Sequence, residues 1–494
     1  MEYISTRNKS VRVSASFAIA NGISREGGLF VPDSFPKLSK EDFEKIASLD
    51  YIGRAKYVLS AFLNDFSEEE IDYCVNGAYK NSFDDGKPAP IAVIGKGVNI
   101  LELWHGPTCA FKDLALQLLP YLLTTSAKKV SFGKKTVILV ATSGDTGKAA
   151  LEGFKDVRDT EIIVFYPSEG VSPMQKLQMS SQSGENVHVC AIKGNFDDAQ
   201  SAVKKIFTDE EVKAKLEENN MQFSSANSIN WGRLAPQIVY YVSAYCDMLL
   251  KGDDLKDGFN VVVPTGNFGN ILAAYYAKKI GVPINKLVCA SNANNVLTDF
   301  IKTGVYDRNR DFYTTISPSM DILISSNLER MLFELCGGDD NYVSELQNKL
   351  SKNGKFEVTQ EMKSKIKDIF YGGFCDDKAT LETIKHTFED CGYLCDTHTA
   401  VAVNVFEQYR KETGDTRPVL IASTASPYKF AKSVLSAVSE QKADGEFEYV
   451  GKLSDITKTE IPSPINALKS AKVRFNDVFD KEDMLKAVYG CLKI

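Results

Sequence analysis

No apolar run in this chain approaches the roughly 18 residues that a membrane-spanning helix needs, so no transmembrane segment is expected. The opening residues, Met1-Glu2-Tyr3-Ile4-Ser5, do not show the basic-then-apolar order of a secretory signal. Cysteine is too dilute for a disulfide scaffold. Ten are scattered through 494 residues, which predicts reduced, mostly buried thiols and a cytoplasmic protein. Cys391 and Cys395 form the closest pair, yet no second pair at zinc-site spacing accompanies them. The four histidines are far apart, so no metal site is expected. Positive charge is not in excess, and a net charge of -7 gives no reason to expect nucleic acid or an acidic membrane as partner. With 25% charged and 44% apolar residues, the balance is that of a globular protein long enough for two or three domains.

What is present has an α/β rhythm. Thr136 to Ala141 is a continuous β-branched, apolar run, as expected of a parallel strand buried on both faces. Further strands are expected at Glu161 to Tyr166, Asn186 to Ile192, Asn260 to Pro264, Leu287 to Ala290 and Pro418 to Ala422, with helical stretches such as Lys148 to Lys155 and Ile271 to Ile280 between them. The pattern predicts parallel or mixed open sheets in two α/β domains, with ligands beyond the carboxyl ends of the strands. Residues 1–95 read as a helical, glycine-punctuated leader region in which Gly27 to Pro32 forms a turn and short strand, followed by amphipathic segments around Phe43 to Ala61. Residues 96–245 read as a smaller α/β domain, and 246–494 as a larger one with a polar, helical insertion at about 300–395.

Five segments carry candidate chemistry. In Leu103 to Asp113, Lys112 directly follows Cys109-Ala110-Phe111. Apolar surroundings disfavour the ammonium and favour a neutral amine, nucleophile or base, although an isolated Ala-Phe-Lys is also what a surface lysine with a buried stem looks like. Pro264-Thr265-Gly266-Asn267-Phe268-Gly269-Asn270 is a glycine turn between a buried strand and a helix, an arrangement that gathers N–H groups around a phosphate. Ala141-Thr142-Ser143-Gly144-Asp145-Thr146-Gly147 repeats that geometry. Gly147-Lys148 imitates the end of a P-loop, but only two residues separate Gly144 from Gly147, and Ala149 follows the lysine. Neither segment is G-x-G-x-x-G, so a dinucleotide is disfavoured, and a phosphorylated cofactor is suggested instead. Asn227 to Arg233 collects amides and a guanidinium suited to phosphate or carboxylate, or to a surface acid. Ser423-Thr424-Ala425-Ser426-Pro427 follows a strand, where a hydroxyl can cap a helix or bond a ring nitrogen.

Together these segments resemble pyridoxal-phosphate enzymes of the tryptophan-synthase β-like fold (fold type II), specifically the longer, leader-containing threonine synthases. Tyr3 to Arg7, Gly27 to Pro32, His105 to Asp113, Ser143 to Gly147, Val171 to Gln175, Pro264 to Asn270, His398 to Val401 and Ser423 to Ala425 fall in the family's order and span nearly the whole chain. The resemblance implies that Lys112 holds pyridoxal 5'-phosphate as a Schiff base and shuttles protons. It implies that Gly266, Asn267, Phe268, Gly269 and Asn270 cradle the cofactor phosphate, that Thr424 faces the pyridine nitrogen, and that Asp145 serves the 3-hydroxyl. Ser143, Thr146, Asn230 and Arg233 match substrate ligands. The implied activity is a carbon-oxygen lyase reaction, the last step of threonine biosynthesis: O-phospho-L-homoserine and water give L-threonine and phosphate. A monomer or homodimer is expected.

Some positions depart from the family pattern. Asn8 stands where glycine is expected, Thr397 where proline is usual, and Ser426 and Tyr428 where histidine and alanine are expected. Two other readings stay open at this point. One is a phospholyase that releases 2-oxobutyrate from the same substrate. The other is a non-catalytic binding protein of the same fold.

Overall fold

A computed structural model describes residues 1–494 except Ser131, Phe132, Ser143, Gly170 and Asn195, and leaves aside the side chains of Asp85, Phe196 and Asp197. Its strands are β1 (Tyr3–Ser5), β2 (Asn8–Val13), β3 (Phe30–Pro32), β4 (Ile91–Gly95), β5 (Val98–Glu102), β6 (Lys135–Ala141), β7 (Thr160–Pro167) and β8 (Val187–Lys193). The series continues with β9 (Met221–Ser224), β10 (Phe259–Pro264), β11 (Ile284–Ser291), β12 (Val305–Asp307), β13 (Lys355–Glu357), β14 (Phe370–Phe374), β15 (Val419–Ser423) and β16 (Val478–Asp480).

Two sheets carry the molecule. The smaller, in the order β16-β8-β7-β6-β9, is parallel throughout. The larger, β14-β11-β10-β15-β5-β4, is parallel apart from its edge strand β4. Every residue of β10 and β15 is buried, as are the five central residues of β6. Helices therefore cover both faces, which is why these strands read as unbroken apolar runs. The six expected strands lie within or overlap β6, β7, β8, β10, β11 and β15.

Three expectations need correction. The leader holds more strand than expected: the short strand expected within Gly27 to Pro32 is β3, but β1 and β2 join it in an antiparallel sheet before the helices Lys40–Ala47, Tyr51–Phe62 and Glu68–Tyr79. The boundaries at 95/96 and 245/246 cut across both sheets, because β5 joins the larger sheet and the C-terminal β16 joins the smaller. The span 300–395 is only partly an insertion, since β14 pairs with β11 in the larger sheet. Beside β14, a Cβ on Gly372 would lie 3.1 Å from Thr298 Cα, and one on Gly373 would lie 2.6 Å from Val405 Cγ1. Helices approach that strand so closely that only glycine fits.

The thiols expected to be reduced are free, seven of the ten buried. Among the described residues no helix is long and apolar enough to cross a membrane, and no cluster of His, Cys, Asp and Glu could hold a metal.

Candidate active site

Adjacent parallel strands β10, β15 and β5 direct their carboxyl ends to one edge of the larger sheet. Three segments meet there. The chain leaving β5 is stitched to the chain leaving β15: Leu103 N donates to Ser423 O (2.9 Å), Phe111 N to Thr424 O (2.9 Å) and Ser426 N to Cys109 O (3.1 Å). Ala110 also bridges Ala425. Cys109 is held at φ 56°, a costly conformation for a residue with a Cβ. The short helix Lys112–Leu116 starts three residues later. The helix Asp145–Phe154 packs on that turn so tightly that a Cβ at Gly153 would sit 2.0 Å from Leu116 O. Lys112 is thus fixed from both sides.

The Lys112 side chain is 12% exposed, with Nζ 3.9 Å from Asp145 Oδ2 and 3.4 Å from Ser319 Oγ. Burial lowers its pKa to about 8; Asp145 opposes that shift, while Lys429 and Arg233 add to it. Asp145 opens its helix at the carboxyl end of β6, where a helix N-terminus favours an anion. Burial alone would raise its carboxyl, but the ammonium groups of Lys429 and Lys112 outweigh that and hold it well below the usual range. Its Oδ1 accepts from Lys429 (2.8 Å) and Gln175 (3.2 Å). Asp113, next to Lys112, is pushed up to about 6 by burial despite accepting from Thr108 N and Oγ1 at 2.8 and 2.6 Å.

The third segment lies between β10 and the helix Gly269–Ile280. Phe268 takes a left-handed φ of 63° and turns the chain into the helix. The loop's carbonyls are tied outward: Gly266 O accepts from Ser325 Oγ (2.7 Å), and Asn267 O accepts from Asn327 N and Nδ2 (both 3.1 Å). The amides of the first turn, which have no partner within the helix, are left for a ligand. A Cβ at Gly266 would sit 2.7 Å from Ser319 O, so the cradle needs a glycine there. Asn270 Oδ1 accepts from Tyr241 Oη, while its Nδ2 is buried with no partner. A desolvated donor beside a helix N-terminus fits a cofactor carrying a phosphate, and an amine poised near neutrality fits one carrying an aldehyde.

Of the expected substrate ligands, Arg233 reaches the site, Asn230 is used elsewhere, and Ser143 lies outside the described residues. Arg233 is buried. Its Nη1 donates to Ala226 O (2.7 Å), its Nε has no partner, and among the described residues no acid pairs with it. Burial lowers its pKa to about 10, which leaves it a cation. Asn230 caps the helix Trp231–Lys251 through Gly232 N (2.8 Å), and its amide donates to Ile19 O and Ser225 O, both at 2.9 Å. These bonds leave little of the carboxamide for a ligand. Thr146 is half-buried one residue after Asp145, and Thr424 is buried at the end of β15.

Of the departures from the family pattern, all but Thr397 have local side-chain partners. Ser426 caps the turn Pro427–Phe430, and Tyr428 Oη donates to Thr459 O (2.8 Å). Thr397 Oγ1 is buried without a partner, and the Asn8 carboxamide accepts from Ser10 N (3.1 Å). Sequence reasoning passed over Lys429, Ser319 and the side chain of Gln175. Ser319 is placed by His398: Nε2 accepts from Ser319 N (3.1 Å), so Nδ1 carries the proton and donates to Asp396 Oδ2 (2.7 Å). Spacing could not have found these residues, because each reaches the site from a distant segment.

Three family models match the chain in succession: "Threonine synthase N terminus" over residues 2–79, "Pyridoxal-phosphate dependent enzyme" over 93–349 and "Threonine synthase, C-terminal" over 399–488. Human threonine synthase-like 1 is 41% identical over 455 residues, which cover 88% of this chain. The chain spans 60% of that relative's length. Threonine synthase of Saccharomyces cerevisiae is 38% identical, over 88% of this chain and 89% of its own. Among solved structures, the PLP-bound threonine synthase of Brucella melitensis superposes with a TM-score of 0.89 at 35% identity, covering 100% of this chain and 99% of that one. The yeast enzyme gives 0.89 at 32% identity, with the same coverage.

Proposed function

Since the chain belongs to the threonine synthase family of pyridoxal-phosphate-dependent enzymes, with the tryptophan-synthase β-like fold (fold type II), we propose that it converts O-phospho-L-homoserine and water into L-threonine and phosphate, the last step of threonine biosynthesis. The observation that carries this reading is the position of Lys112. Burial lowers its pKa to about 8, its amine lies 3.9 Å from the Asp145 carboxylate, and it feels the charge of Arg233, a buried arginine with no acidic partner among the described residues.

Pyridoxal 5'-phosphate, when bound, supplies an electron sink for carbanions formed next to the substrate's amino group. The chain's own residues supply the rest. The Gly266 to Asn270 loop, with the unpartnered Asn270 amide, would hold the cofactor phosphate, and Thr424 would face the pyridine nitrogen. Lys112 would hold the cofactor, and its amine would accept the substrate's α-proton and return protons to carbon. Asp145 keeps a negative oxygen towards Lys112, which steadies the ammonium formed each time a proton arrives. Arg233, with Thr146 and Ser143 as further candidates, would receive the substrate's phosphate or carboxylate; a preorganised cation there favours the departing phosphate. The Asn230 carboxamide is left out of this set because its bonds are spent within the fold. Ten free thiols fit a reducing compartment such as the cytoplasm.

Phosphate release from O-phospho-L-homoserine, with the organic product identified in the same tube, tests the proposal. Threonine equimolar with phosphate is the expected result. Equimolar 2-oxobutyrate would replace the synthase by a phospholyase, and no release would remove the substrate assignment.

A further inference from the structure

Lys429 has a side chain that is only 1% exposed. It follows β15 of the larger sheet, while its partner Asp145 follows β6 of the smaller sheet. The Lys429 ammonium donates to Asp145 Oδ1 at 2.8 Å and to Thr108 O at 2.9 Å. Thr108 in turn donates to Asp113, the neighbour of Lys112. One carboxylate is therefore divided between two lysines, with Oδ1 held by Lys429 and Gln175, and Oδ2 turned to Lys112 at 3.9 Å. A buried ion pair is a poor device for stability, because desolvation consumes most of its Coulomb energy. Its placement one carboxylate away from the reactive amine points to another use.

We propose that Lys429 is a positioning residue: it clamps Asp145 across the two sheets so that one oxygen faces Lys112, and it thereby sets how readily Lys112 gives up its proton. This rests on the reading of Lys112 as the cofactor lysine. Four charged groups act on that amine. Asp145 and Asp113 favour the ammonium, whereas Lys429 and Arg233 disfavour it. Removing the Lys429 charge takes away a repelling cation and frees Asp145 to pair with Lys112 alone. Both effects push the same way, and Lys112 keeps its proton to higher pH.

The test uses the full-length protein stripped of cofactor. Pyridoxal phosphate is added, the adduct is fixed with borohydride, and the rate of labelling of the Lys112 peptide is followed against pH. In Lys429→Met the midpoint should rise by about one pH unit, and in Asp145→Asn it should fall. Lys429→Arg should return it close to the wild-type value. Should Lys429→Met fail to fold, Lys429→Gln keeps a donor for Thr108 O without the charge and should show the same rise. A merely structural role would lower the melting temperature and leave the midpoint in place. A wild-type midpoint in folded Lys429→Met or Lys429→Gln overturns the inference about Lys429 alone. No labelling of Lys112 in the wild-type protein overturns the cofactor-lysine reading and this inference with it.

Discussion

Arg54 and Arg233 are comparably buried, and they show what separates the packed interior from the cleft. Arg54, in the N-terminal region, spends its guanidinium within the chain: on Ile46 O (3.3 Å), Ala47 O (3.1 Å), Ser243 Oγ (2.9 Å) and Asp247 Oδ1 (2.6 Å). Arg330, also near the N-terminal strands, is likewise satisfied by Phe30 O, Asn327 Oδ1 and Ile229 O. Arg233, in the first turn of the helix Trp231–Lys251, has one carbonyl and an unpartnered Nε. The same contrast separates two asparagines, Asn230 with its amide bonded twice and Asn270 with a desolvated Nδ2. Folding leaves a buried donor unpaired at a cost of about 1–3 kcal/mol. Arg233 Nε and Asn270 Nδ2 are two such donors beside Lys112 and the Gly266 to Asn270 loop, where a ligand would complete them.

The strongest way to break that contrast is Lys112→Ala. Turnover should vanish while the far-UV circular dichroism stays native; a wild-type rate would remove Lys112 from the chemistry. In the wild-type protein, capture of pyridoxal phosphate should accelerate about tenfold per unit as pH rises towards 8 and level off above it, because the neutral amine reacts and its pKa is lowered to about 8. A flat profile through that range would contradict the assignment. Arg54→Ala should cost about 3 kcal/mol of folding stability in denaturant titrations, with the kcat of the folded fraction unchanged.

Arg233→Ala should do the opposite. It should spare stability and raise the KM for O-phospho-L-homoserine about thirtyfold, as expected for loss of roughly 2 kcal/mol from a charged hydrogen bond. An unchanged KM would return Arg233 to the packed interior. Asn230→Ala should show the smallest effect, about 1 kcal/mol of stability for a lost helix cap with KM unmoved. A raised KM there would restore Asn230 as a ligand.

How far the sequence could be read depended on whether the relevant signal was local. β6, β10 and β15 were visible because burial on both faces writes an unbroken apolar run. β14 was not. Its Phe-Tyr-Gly-Gly-Phe segment reads as a turn, since the glycines answer to helices packed against it rather than to its own conformation. β16 has three residues, too few for any period. In the site, Lys112 and the Gly266 to Asn270 segment each sit in a contiguous motif and could be singled out as candidates. Lys429 and Ser319 lie in unremarkable loops, and their roles come from Asp145 and His398, which only the fold brings near. Asn230 is ambiguous for the converse reason, because an amide suited to a ligand is equally suited to a helix cap.

The most direct measurement is the residue at which the cofactor attaches. Borohydride reduction of the protein with pyridoxal phosphate, followed by peptide mass mapping, should place the label on Lys112. Label on the buried Lys429 or Lys148, or on none of the three, would contradict the account.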